Sequence, residues 1–268
     1  LYGFPPMTIG IKQSTPLFHL LENIQDEVHR FAKMGYATAT MNYSRLGQDT
    51  LDVSMPYNSP SFESMVKEIY ACVDAIKAKG KELGCDFKQM AVGGYSAGGH
   101  LAMLYATRHD TTSPIPVKFQ ISWVGPADVG LLFPFLTDDV TVEKICSGEQ
   151  SDEMVKQRQD LKNFLQSITG KVVTDEELSV ETVNNARQMG SPLYYVSETT
   201  PPAVLAYGGK DMLVLSEHGK RMADAMQSKG VDHSLIIFPN SGHTLGHDKE
   251  YTQMVIDEIT RFCKTYFD

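Results

Sequence analysis

The sequence predicts an α/β protein: a mostly parallel sheet with helices on both faces, interrupted by a helical insertion. Three observations carry this. Strand-like and helix-like segments alternate along most of the 268 residues, the pattern of parallel strands joined by crossover helices. The stretch from Thr137 to Gly190 breaks the alternation and holds no strand pattern. A glycine-rich stretch, Ala91 to Leu101 (AVGGYSAGGHL), stands between a short apolar run and a helical pattern.

Each element has its own signal. Asp26 to Met34 reads as a helix, with Val28 and Phe31 apolar and Gly35 as its stop. Tyr36 to Tyr43 (YATATMNY) is rich in β-formers. Ser61 to Lys79 is an amphipathic helix, because Phe62, Met65, Ile69, Cys72 and Ile76 recur at spacings of three and four. Gln89 to Gly93 is a short strand and Ala97 to Thr107 a helix. Lys118 to Val124 (KFQISWV), Ala203 to Tyr207 and Ser234 to Phe238 are strands. Ser216 to Lys229 is a helix closed by Gly230. The last helix runs from about Asp248 to Phe267, with Tyr251, Val255, Ile259, Phe262 and Tyr266 on one face. Within the irregular stretch, helix starts are expected at Ser151, at Thr174 (T-x-x-E, through Glu177) and at Ser179. Met154, Leu161, Leu165 and Ile168 form a periodic set there. A helical insertion over about 130–190 is expected to cap the carboxyl ends of the strands, where ligand sites of open α/β sheets lie. The chain 1–268 reads as a single domain carrying this cap.

Composition narrows the function. Apolar residues make up 42% and charged residues 21%, with a net charge of -9, ordinary for a soluble globular protein. An acidic chain without a Lys/Arg cluster is a poor binder of phosphate backbones, so nucleic acid is not an expected partner. No apolar stretch has the length of a membrane span. The sequence begins at Leu1 with no basic-then-apolar leader. Cys72, Cys85, Cys146 and Cys263 are far apart and lack metal-ligand spacing, so four thiols in a reducing, cytoplasmic compartment are expected. The oligomeric state is left open, a dimer included.

Gly94-Tyr95-Ser96-Ala97-Gly98 fits G-x-S-x-G, with a strand before it and a helix after it, the setting a nucleophile elbow requires. The glycines keep a tight bend free of Cβ clashes, and the serine is left exposed at its tip. A plainer alternative is a Gly-rich turn with Ser96 as helix cap. A nucleophilic serine needs a base to take its proton, and the expected chain order is serine, acid, histidine. Of the eight histidines, His19, His29, His100 and His109 fail that order. His218 lies in a helix pattern and His233 starts a strand. His243 and His247 remain, in PNSGHTLGHD. His243 comes sooner after its strand, and Ser241-Gly242 lets the chain turn, so His243 is the expected base. A metal held by His243 and His247 is the weaker alternative, with no third ligand in view. Asp211, after Ala203–Tyr207 in YGGKDMLV, is the expected acid, with Asp128 in VGPADVG as its competitor. Trp123, Phe133 and Phe135, with Tyr95 beside the serine, are expected to line the substrate pocket.

These stretches carry a resemblance. GYATATMNYSRLG, CDFKQMAVGGYSAGGHLA, SPLYYVSETTPPAVLAYGGKDMLVLSEHGKRMADAMQSKG and FPNSGHTL resemble the esterase/lipase group of α/β-hydrolases, near the hormone-sensitive-lipase-like and prolyl-oligopeptidase-like carboxylesterases. The resemblance implies the α/β-hydrolase fold, a triad on Ser96, Asp211 and His243, and strands ahead of Gly3 that this sequence lacks. It also implies an oxyanion hole formed by the Ala97 N–H and by Gly3 or Phe4. That second donor falls in Gly3-Phe4-Pro5-Pro6, followed by Gly10 and Lys12, where the family usually has a His-Gly-Gly-Gly-type loop. Proline has no N–H to give, and one donor is worth about 3 kcal/mol of transition-state stabilisation. The implied activity is hydrolysis of small neutral carboxylic esters, with no cofactor or metal. The same residues serve an amide or aryl formamide. A non-catalytic binding protein on this scaffold is the reading from another class.

Overall fold

The computed structural model describes residues 3–4, 28–41, 43, 61–108, 112–132, 138–148 and 150–267. Among these residues there are six strands: β1 (Gly3–Phe4), β2 (Ala37–Thr38), β3 (Met90–Tyr95), β4 (Val117–Trp123), β5 (Ala203–Gly208) and β6 (His233–Phe238). They form one sheet in the order β2-β1-β3-β4-β5-β6, and every pairing is parallel. The expected Tyr36–Tyr43 strand is reduced to Ala37–Thr38, at the sheet's edge. β5, AVLAYG, is buried along its whole length, as a central parallel strand covered on both faces must be.

Side chains alternate along each strand and so sort onto two faces. Ala91, Phe119, Ile121, Trp123, Val204, Ala206, Ile236 and Phe238 pack with Phe31 of α1 (described over 28–33) and with Val255, Ile259 and Phe262 of α8 (Lys249–Tyr266). On the other face, Met90 and Val92 meet α2 (Phe62–Glu82) and α3 (Ala97–Thr107). Leu205 and Tyr207 meet Met222 and Met226 of α7 (Glu217–Ser228) on the same side.

Among the described residues, two 3₁₀ turns (Val129–Leu132 and Pro192–Tyr195) and three helices stand between β4 and β5: α4 (Asp139–Cys146), α5 (Asp152–Thr169) and α6 (Val180–Gly190). Val142, Ile145, Leu161, Leu165, Ile168 and Val183 give them a core of their own. Ser151 and Ser179 open α5 and α6, and the Ser179 hydroxyl accepts the Thr182 N–H. Thr174 does not open a helix. Its N–H donates to Glu177 Oε2 at 2.9 Å, so the T-x-x-E box closes a turn and the next serine takes over as cap. No described helix is long and apolar enough to cross a membrane, and the four cysteines are unpaired.

Two close approaches set the sheet's carboxyl end. A Cβ on Gly125 would lie 2.6 Å from the Gly99 backbone carbon and 2.7 Å from the His100 nitrogen, so α3 rests directly on the chain leaving β4. A Cβ on Gly208 would lie 2.5 Å from the Gly242 carbonyl oxygen, so the chain leaving β5 rests on the loop after β6. Gly125→Ala is expected to destabilise the fold by about 3 kcal/mol, the upper end for overpacking. The urea midpoint measures this. Gly246→Ala, whose Cβ meets nothing closer than 3.7 Å, is expected to stay within about 0.5 kcal/mol.

Candidate active site

Ser96 stands where β3 turns into α3. Its backbone has φ 52° and ψ -120°, a strained conformation for a residue with a Cβ. Neighbouring backbone holds it there: the Ser96 N–H donates to the Trp123 carbonyl at 2.8 Å, and the Ser96 carbonyl accepts the His100 N–H at 2.9 Å. The Ser96 side chain makes no capping bond to α3, which leaves the plainer helix-cap alternative without its hydrogen bond. The hydroxyl lies instead 2.9 Å from His243 Nε2.

The other ring nitrogen, His243 Nδ1, lies 2.7 Å from Asp211 Oδ2. A carboxylate only accepts, so Nδ1 carries the hydrogen and Nε2 is bare toward the serine hydroxyl. Asp211 is buried just beyond β5. Its Oδ1 accepts the N–H groups of Leu213 at 2.8 Å and Val214 at 3.0 Å. Burial alone would raise this carboxyl. The bonds from His243, Val214 and Leu213 outweigh burial and hold it below the ordinary carboxylate value.

The loop carrying His243 is pinned on both sides. Tyr95 Oη–H donates to the His243 carbonyl at 2.5 Å. Behind the histidine, Asp248 accepts the Asn240 N–H and the Ser241 hydroxyl, and Ser241 Oγ accepts the N–H groups of His247 and Asp248. His247 is exposed and contributes its backbone to this closure. Both His243 ring nitrogens are engaged, so the metal-pair alternative has no free nitrogen there. Asp128, the competing acid, faces elsewhere: it accepts the Gly130 N–H at 2.9 Å and pairs with Arg221 at 3.0 Å.

A cavity of about 460 Å³ opens at Ser96. Phe62, Met65, Leu101, Pro126, Val129, Leu132, Leu213 and Val214 give it an apolar wall, with Ser96, Ala97, His100 and His243 on it. The expected pocket residues fall differently. Trp123 packs against Phe238, and Trp123 and Tyr95 belong to the core under α8, because strand alternation turns both to the face away from the cavity. Tyr95 acts on the site from beneath, through the His243 carbonyl. Phe133 and Phe135 lie outside the described residues. Ala97 opens α3, and its N–H has no partner among the described residues. Gly3 and Phe4 correct an expectation. Gly3 pairs in register with Met90, at the far end of β3 from Ser96, and six residues of strand separate them by about 20 Å. The structure does not bring them to the serine.

Two histidines not expected to act as the base, His100 on chain order and His218 for its helix pattern, sit beside the site. His100 Nδ1–H donates to the Pro126 carbonyl at 2.8 Å, and His218 Nδ1 accepts the N–H groups of Ala127 at 3.2 Å and Asp128 at 3.3 Å. The Pro126–Ala127 peptide is trans, so its oxygen and its N–H point opposite ways and one imidazole holds each side. Pro126 is part of the cavity wall, so the pair fixes that wall. His100 carried a sequence signal, one helical turn after Ser96; His218 carried none.

Residues 21–226, most of the chain, match the BD-FAE family model. The chain belongs to the BD-FAE family, among the α/β-hydrolases of the esterase group. It is 22% identical over 248 residues to the putative carboxymethylenebutenolidase of Yersinia pestis, covering 91% of this chain and 69% of that protein. A match to UvrABC system protein C of Bacteroides fragilis, 42% identical over 98 residues, covers 32% of this chain and 16% of the other. The chain thus spans about a sixth of that relative's length. A truncated carbohydrate esterase from gut microbiota superposes with a TM-score of 0.63 at 15% identity, over 98% of this chain and 87% of that one. At that identity the likeness concerns the fold, and the expected α/β-hydrolase fold is borne out.

Burial pushes the His100 and His218 imidazoles from the ordinary 6.5 down to about 4. Between those two pH values the unfolded chain binds protons that the folded chain refuses. Stability therefore falls as pH drops through that window, by about 1.4 kcal/mol per pH unit for each histidine, and the loss is complete below about pH 4. Asp211 acts lower: its depressed carboxyl contributes stability that persists until pH falls through its own folded value. Urea titrations at pH 7, 5.5 and 4.5 check the histidine window. His100→Asn keeps an N–H for Pro126, and His218→Asn keeps an acceptor for Ala127. Together they are expected to flatten the slope, and an unchanged slope assigns those protons elsewhere.

Proposed function

We propose that this chain is a serine hydrolase that cleaves carboxylic esters of small neutral substrates through an acyl-enzyme. Ser96 is the nucleophile, His243 the general base and Asp211 the group that orients it. The observation carrying this is the unbroken hydrogen-bonded path from Ser96 Oγ through both His243 nitrogens to Asp211.

The chemistry follows from that path. Ser96 Oγ attacks the acyl carbon as His243 Nε2 takes its proton. The carbonyl electron pair moves onto oxygen, and the Ala97 N–H at the helix start is the donor assigned to that oxyanion. As the tetrahedral centre collapses, the bond to the alcohol oxygen breaks and His243 returns the proton to it. Water then attacks the acyl-enzyme by the same steps. Asp211 keeps Nδ1–H in place and offsets the imidazolium charge. Tyr95 is a positioning residue, fixing the histidine backbone.

A neutral substrate is favoured because the chain carries a net charge of -9 and no Lys or Arg lines the cavity among the described residues. The apolar wall suits the acyl group of a short acid.

Ser96→Ala and His243→Ala are each expected to lower kcat on p-nitrophenyl acetate by about a thousandfold or more with modest change in KM. His247→Ala is expected to cost less than about tenfold, roughly 1.4 kcal/mol. A fluorophosphonate is expected to label Ser96 stoichiometrically in wild type and in His247→Ala. It labels His243→Ala slowly or not at all. Absence of labelling in the folded wild type would falsify the reading and favour a binding protein on this scaffold. Tyr95→Phe is expected to lower kcat about fivefold, the worth of one hydrogen bond near 1 kcal/mol, with KM unchanged. A change confined to KM assigns Tyr95 to substrate contact instead.

A further inference from the structure

The loop after Asp211 exposes three large apolar side chains in four positions. Met212 is 86% exposed, Leu213 69% and Leu215 42%, while Val214 between them is buried. The arrangement is forced. Asp211 Oδ1 holds the N–H groups of Leu213 and Val214, and Val214 packs inward beside Tyr207 and Met222. The loop therefore cannot roll its outer side chains into the core. Single exposed apolar residues are ordinary, but a contiguous set beside a cavity marks a place where something binds. Leu213 joins the two, since it belongs to the ridge and also lines the cavity with His243.

The chemistry tells which part of a substrate lies there. The leaving oxygen takes its proton from His243 Nε2, so it must sit beside that atom. The remainder of the alcohol extends from that oxygen, away from the acyl carbon and past the histidine. Of the loop that follows Asp211, Leu213 and Val214 line the cavity together with His243, and Met212 and Leu215 continue the exposed ridge outward on either side of them. We propose that Met212, Leu213 and Leu215 form a subsite for an apolar leaving group, an aryl or alkyl alcohol. The inference rests on the proposed Ser96–His243–Asp211 chemistry and narrows its substrates to small-acid esters of apolar alcohols.

The test compares two esters that share an acetyl group, 1-naphthyl acetate and glyceryl monoacetate. Wild type is expected to prefer the naphthyl ester. The ratio of the two kcat/KM values, naphthyl over glyceryl, is expected to fall about three- to tenfold in Met212→Ser and in Leu215→Ser, as part of a side-chain burial is lost. Val140→Ser, at a 69% exposed apolar residue of α4, is the control, with an unchanged ratio. Thermal unfolding of each variant verifies that it folds. A ratio unchanged in both ridge variants overturns the subsite, as does a wild type that prefers the glyceryl ester. So does a shift in acyl-length preference across p-nitrophenyl acetate to octanoate, which assigns the ridge to the acyl side. A dimer that Met212→Ser converts to a monomer in sedimentation also overturns it, since the ridge is then an interface between copies. A folded wild type that turns over neither ester and resists fluorophosphonate overturns the proposed chemistry and the subsite with it. Labelling with an unchanged ratio overturns the subsite alone.

Discussion

One buried carboxylate ties the candidate site together. Asp211 is taken out of water at the end of β5, where an unpaired charge would cost several kcal/mol. It is kept ionised by three donors, and each does a second job. Two are backbone N–H groups that fold its own loop into a fixed turn. The third belongs to His243, in the loop after the neighbouring strand. Together with the backbone bond from Lys210 N–H to the Ser241 carbonyl at 2.9 Å, this sets the two loops in one relation to Ser96. Gly208 makes this possible, because any larger residue would push the two strand exits apart.

The serine end relies on backbone. Ser96 and Val124 both have positive φ, 52° and 47°, and they lie at the ends of adjacent strands. For a β-branched residue such as Val124 this is an outlier. The sheet ladder continues into both bends, with Ser96 N–H on Trp123 and Val124 N–H on Ala206. The strain is thus opposed by hydrogen bonds, and the trans peptide gripped between His100 and His218 steadies the next turn of chain.

Much of this was legible in the sequence, for a physical reason. A parallel sheet gathers its strand exits at one end, so Ser96, Asp211 and His243 each announce themselves as polar residues just beyond an apolar run. α2, α7 and α8 were readable because a single buried stripe leaves a 3.6-residue period. Parity was not readable. In KFQISWV and in MAVGGY the alternation is plain, but which face meets α8 and which meets the cavity depends on partners far away in the chain, and the fold turns Trp123 and Tyr95 toward α8. The roles of His100 and His218 were hidden for the same reason, since both depend on a peptide that only the folded chain brings between them. Thr174 failed because a capping box and a closed turn begin with the same letters.

The helices between β4 and β5 are joined to the site by little. Among the described residues, only Val129 and Leu132, both in the opening 3₁₀ turn, reach the cavity, while α4, α5 and α6 pack mainly on one another. Val129 belongs both to the helices' own core and to the cavity wall, so a shift of that helical packing is transmitted to the cavity through a single turn of chain.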